Sequence, residues 1–177
     1  MSCTSVFIET IYFKKGGKHN TSQLLLKVYD YIRNNEYEFN YVIVSSTTGY
    51  TALEALKIFK VPNVQLIVCK QDLNEKLSLK KEVLDKLEGK MLIYDIPKKY
   101  LLNLSGNETV QILRNFSQGT KVCVELLMFL IKESIIKKGD KVIVIGGTLE
   151  GADTAISFEV NSEDKFKVIN MIGLPEK

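Results

Sequence analysis

The chain has 177 residues, 45% of them hydrophobic and 25% charged, which is long enough for one continuous core and unlike a disordered or membrane composition. Its 24 Lys+Arg against 21 Asp+Glu leave a net charge of +3, too small and dispersed for a nucleic-acid surface. Neither nucleic acid nor a membrane is an expected partner, and a single domain over residues 1–177 is.

The opening residues MSCTSVFIETIYFKKGG carry Glu9 inside the apolar run and no positive leader, so they predict a strand over about residues 6–13 and no signal peptide. A Gly-Gly turn follows, then a helix over about residues 21–34 with Asn20 as its N-cap. YVIVSS from Tyr41 is a β-branched run suited to a strand covered on both faces, and TALEALKIFK after it has helical spacing. VQLIVCK repeats the strand pattern, LSLKKEVLDKLEG is an amphipathic helix ending at Gly89, and KMLIYDI is another strand. Residues 97–107 lack a period and predict an irregular connection. Helices near residues 108–116 and 120–136 lead to the strand KVIVIGG, and TAISFEV and KVINMIGL are close enough in sequence to pair antiparallel. The sum is a three-layer α/β/α fold with a mostly parallel sheet and an antiparallel edge. VCVELLMFLI, the longest apolar run, is broken by Glu125 and falls short of the roughly 18 residues of a membrane span. Cys3, Cys69 and Cys123 lack the neighbours that zinc or a C-x-x-C redox pair needs, which points to a cytoplasmic setting and no metal.

Three turns carry candidate chemistry. In VIVIGGTLEGADTAISFEV, Gly146 and Gly151 have the G-x-x-x-x-G separation, but Ala152-Asp153 stand where a P-loop needs Lys and Ser/Thr. A strand follows instead of a helix, which removes both the P-loop and the dinucleotide readings. What remains is either a plain Gly-rich connection or a wall that lets backbone N–H groups approach a ligand, with Asp153 accepting from its hydroxyls. In SSTTGYTALEAL, a strand ends in Ser45 and Ser46 and Gly49 precedes a helix beginning near Thr51. Open N–H groups at a helix start, with the hydroxyls of Ser46, Thr47, Thr48 and Thr51, can bind phosphate without a lysine; the alternative is simple helix capping. In KKGGKHNT, Lys14, Lys15 and Lys18 beside Asn20 and Thr21 either complete an anion pocket or form a solvated basic loop. His19 is the sole histidine, so no Ser-His-Asp or Cys-His catalysis is expected unless that loop residue serves. Glu125, among apolar neighbours, must pair, reach a pocket or occupy a wet face; buried near the loops it would be a candidate acid or base.

IIKKGDKVIVIGGTLEGADTAISFEV resembles the C-terminal domain of pyruvate kinase, and YVIVSSTTGYTALEAL is similar to that domain's strand and phosphate loop. YFKKGGKHNT, GTKVCVEL and GGTLEGADTA resemble more closely a family of small stand-alone archaeal and bacterial proteins built on the same domain. The resemblance implies a ligand pocket with Ser46, Thr47, Thr48, Gly49 and Thr51 on the phosphate and Gly146, Gly147 and Gly151 as the second wall. Asn20, Thr21, Ser45, Asp153 and Glu125 are its further candidate residues. The catalytic barrel of pyruvate kinase has no counterpart here, nor do the arginine and tryptophan common in the second loop of its sugar-bisphosphate pocket. Stand-alone relatives are associated with flavin mononucleotide, so the expected ligand is a phosphorylated small molecule, with flavin mononucleotide the implied cofactor. Two alternatives stay open: a flavin-dependent or phosphate-ester-transforming enzyme using Glu125 or Asp153, and a homo-oligomeric regulatory module of the kind pyruvate kinase makes of this domain.

Overall fold

The computed structural model describes residues 9–34, 38–70, 79–97, 108–148 and 150–176. Residues 6–8 of the first expected strand, Cys3 and residues 98–107 of the expected irregular connection lie outside them. In chain order the elements are β1 (Ile11–Phe13), a 3-10 turn (Lys18–Asn20), α1 (Thr21–Asn34), β2 (Tyr41–Ser45), α2 (Tyr50–Ile58), β3 (Gln65–Lys70) and α3 (Lys81–Leu87). Then come β4 (Leu92–Asp95), α4 (Glu108–Phe116), α5 (Gln118–Lys132), β5 (Lys141–Gly146), β6 (Thr154–Val160) and β7 (Phe166–Pro175).

These seven strands form one sheet in the order β1-β7-β6-β5-β2-β3-β4. β5, β2, β3 and β4 are mutually parallel, whereas β6 runs antiparallel to both β5 and β7. β1 then closes that side parallel to β7, with Ile11 opposite Gly173 and Phe13 opposite Pro175. The fold is therefore α/β, mostly parallel, with the antiparallel pairings gathered toward one edge.

The layers follow from which residues the strands turn to each side. On one face Leu24, Leu25 and Val28 of α1, Ala52 and Ala55 of α2 and Leu87 of α3 pack on Val42, Val68 and Ile145. On the other, Cys123, Leu126, Leu127 and Leu130 of α5 pack on Ile43, Ile67, Val142 and Phe158. Because both faces are covered, β2 and β5 read as unbroken apolar runs, as parallel strands do.

Two boundaries differ from expectation for local reasons. α5 begins at Gln118, because Ser117 Oγ accepts from Thr120 N at 2.8 Å and caps the helix a few residues early. It ends at Lys132, where the chain turns through Ser134 at φ 57°. Asn20 does not act as the expected cap residue. It is buried in the 3-10 turn and its Nδ2 donates to Lys15 O at 2.7 Å, which folds the basic loop back on itself.

From β2 the chain runs through α2 to β3 and β4 on one side, then returns through α4 and α5 to β5 on the other side of β2. The adjacent strands β2 and β5 thus lead away in opposite directions. Their carboxyl ends mark the switch point where open α/β sheets leave a crevice for ligands.

Candidate functional site

Three loops meet at these carboxyl ends: residues 14–20 after β1, 46–49 after β2 and, after β5, residues 147–148 and 150–153. In the second, Ser46 is buried, its N–H donating to Cys69 O at 3.0 Å and its Oγ accepting from Ala52 N at 3.2 Å. Gly49 stands at φ 90° as N-cap of α2 and supplies no side-chain cap. A side chain there would be strained at that φ and would run into Val83 of α3. Leu53 N reaches Gly49 O, so the N–H groups of Tyr50 and Thr51 are the ones α2 leaves open at its start. Thr51 is buried, while Ser45, Thr47 and Thr48 are half-buried at the crevice.

The glycine loop is held over this turn from both sides. Lys18 Nζ lies 3.1 Å from Glu150 Oε1 and 4.2 Å from the centroid of the Tyr50 ring, and Thr48 Oγ1 reaches the same Glu150 oxygen at 3.4 Å. Both partners of the ion pair are about half exposed, 47% and 49%, so water screens it and it holds the loop weakly. Ala152 N donates to the buried Thr21 Oγ1 at 2.9 Å, joining the loop firmly to the start of α1.

Asp153 has a different task from the expected one. It is fully buried, and Oδ2 accepts from Gly17 N at 2.8 Å and Thr148 N at 3.1 Å while Oδ1 accepts from Thr154 Oγ1 at 2.9 Å. Its carboxylate ties two loops together and is spent on the protein's own donors, not on ligand hydroxyls. The glycines serve the same tight joint: a side chain at Gly151 would run into Lys18, and one at Gly147 into the Gly151 carbonyl. At Gly146 it would approach Gly119 O at 2.8 Å, because α5 packs closely on the end of β5.

Beyond the knot lies a cleft of about 260 Å³ lined by Gly16, Thr148, Arg114, Phe116, Ser117 and Gln118. Arg114 Nε donates to Gln118 Oε1 at 3.1 Å, and among the described residues its other guanidinium donors have no hydrogen-bond partner. Sequence reasoning missed this wall, because nothing local marks the junction of α4 and α5 as a neighbour of loops some 30 residues later. Tyr50 was missed too, although its position between Gly49 and Thr51 was a usable signal.

Glu125 is not part of either opening. It is buried on α5, with Oε1 2.6 Å from Lys121 Nζ, itself buried one turn earlier, and neither carboxylate oxygen receives a well-directed hydrogen bond. Burial pushes its carboxyl pKa up, and the Lys121 ammonium, then Arg114, pull it partway back. Of the three outcomes considered for this residue, pairing is the one realised. The thiols of Cys69 and Cys123 are fully buried and pushed well above their ordinary pKa by that burial, so neither is a nucleophile. Among the described residues no group of three His, Cys, Asp or Glu side chains could hold a metal ion, and no helix is long and apolar enough to cross a membrane.

No protein-family model matches the chain. Among solved structures it is similar to pyruvate kinase from Cryptosporidium parvum: one structure at 17% identity and TM-score 0.39, covering 84% of this chain and 22% of the other. A second, the same organism's enzyme in complex with ADP, matches at 17% identity and TM-score 0.40, covering 85% and 23%. The chain thus spans less than a quarter of the pyruvate kinases it matches. The fold assigned above stands on the chain's own sheet order.

Proposed function

We propose that the protein binds a phosphorylated small molecule in the crevice between the loops after β2 and β5. The observation that carries this reading is the convergence, at the switch point of the sheet, of the open start of α2 with Thr47, Thr48 and the Lys18 ammonium. A phosphate seated there would take the two open N–H groups and a hydroxyl, with Lys18 supplying charge. The weak Lys18–Glu150 pair would exchange for a stronger charge-assisted contact.

Flavin mononucleotide is one ligand of this class and the implied cofactor. Its phosphate suits the α2 turn, and Tyr50 and Phe116 are aromatic side chains at the two openings. Asp153 and Glu125 take no part in proton transfer on this reading, since the first is fully buried and bound by internal donors and the second is buried against Lys121.

Calorimetric titration with flavin mononucleotide, fructose bisphosphate and other phosphorylated metabolites tests the proposal. Saturable binding to at least one is expected, weakened about tenfold by Thr48→Val or Lys18→Ala, the scale of one charge-assisted contact. Absence of binding across the panel, or binding indifferent to both variants, sinks it.

A further inference from the structure

The basic loop after β1 borders a second cavity, of about 500 Å³, on the outer side of the edge strand. Tyr12, Lys14, Lys15, His19, Asn20 and Gln23 line it, together with Ile11 and Phe13 of β1 itself. The loop's basic side chains divide sharply. Lys18 turns toward Glu150 and Tyr50, whereas the side chains of Lys14, Lys15 and His19 have no ion-pair or hydrogen-bond partner among the described residues. No Asp or Glu is among the described residues that line the cavity, and Glu9, the carboxylate nearest in sequence, pairs with Lys27 at 3.1 Å.

We propose that this cavity is a separate binding site for a small polyanion, specifically an oligophosphate group. Its volume falls within the roughly 300–1,000 Å³ of small-molecule sites. Two ammonium groups on consecutive residues are poorly matched by one singly charged group and well matched by linked phosphates. The carboxamide of Gln23 and the imidazole of His19 add donors on the α1 side. Among the described residues β1 is the edge strand on this side, and its outer edge adds backbone N–H groups. Asn20 shapes the site by holding Lys15 O at 2.7 Å, which fixes the path of the chain between the two lysines and the 3-10 turn.

Lysines beside an edge strand also guard it against pairing with other chains, a role that needs no ligand. Calorimetry with inorganic tripolyphosphate on the full chain separates the two. Saturable one-to-one binding is expected in a Thr48→Val background, which weakens phosphate binding in the crevice after β2; it is weakened by salt and reduced at least about tenfold when Lys14→Ala/Lys15→Ala is added. A control pair, Lys137→Ala/Lys138→Ala, removes two exposed lysines that precede β5 at the opposite end of the sheet. No saturable binding in that background, retention when Lys14→Ala/Lys15→Ala is added, or an equal loss in the control pair would each overturn the proposal. All four substituted lysines are exposed, so circular dichroism of the variants should match the parent.

Discussion

Asp153 shows how a single side chain can be legible in kind and illegible in role. Its position in a glycine loop marks it as a polar group of consequence, but only the tertiary fold brings Gly17 N within 2.8 Å from 136 residues away. Replacing it with Ala leaves two half-buried backbone donors and a buried hydroxyl without their acceptor, so a loss of about 2 kcal/mol is expected by urea denaturation. A variant as stable as the parent would mean that water takes over those bonds. Gly49 makes a second prediction at this scale. Gly49→Ala adds a methyl group at φ 90° against Val83, and roughly 1–3 kcal/mol of destabilisation should follow from strain and overpacking together. The need for glycine was visible in the sequence as a turn before a helix; the wall of α3 behind it was not.

The helix α5 was readable as an apolar element with one anomaly, and its packing decides what the anomaly means. Lys121 and Glu125 are one turn apart and both buried, with side-chain exposures of 10% and 2%, so each has lost most of its water. Such a pair tends to stabilise less than well-packed apolar residues would, yet removing one member leaves the other uncompensated. Lys121→Met is therefore expected to cost about 3–5 kcal/mol near neutral pH, and Lys121→Met/Glu125→Leu to recover most or all of it. The single variant should also carry a pH signature. Burial raises the folded-state pKa of Glu125 above its unfolded value, so the folded chain holds this proton more tightly than the unfolded one. Its favourable contribution is full below the unfolded pKa and is lost as pH rises through the folded one. With the lysine gone the folded pKa rises further, so Lys121→Met should be closest to the parent in stability in mild acid and furthest from it above neutrality. Denaturation midpoints that shift equally at both pH values would show that Glu125 reaches solvent in the variant.

At the scale of the whole molecule, the sheet converts distant sequence into one surface. The crevice draws on residues 14–20, 46–51, 147–148 and 150–153, which follow strands that are first, fifth and fourth in the sheet order. A ligand bound there links all three loops, so it should stabilise the fold as a unit. At a concentration about 100 times its Kd it would add roughly 2.7 kcal/mol and raise Tm by about 5–10 °C for a chain of this size. A bound ligand that leaves Tm unchanged would place its site on a part that unfolds separately.

The order and type of the elements were determined by the sequence itself, because covered parallel strands demand unbroken β-branched runs and helices demand period 3.6, both local signals. The serine-threonine turn before α2 was equally legible, since its glycine and hydroxyl groups act on backbone next to them. Only the tertiary structure decided that β6 lies between β5 and β7, that Asp153 serves the protein's own backbone, that Glu125 pairs with Lys121 and that the basic loop splits its lysines between two openings. Those outcomes depend on which groups become neighbours after burial, and burial is set by the packing of the whole chain.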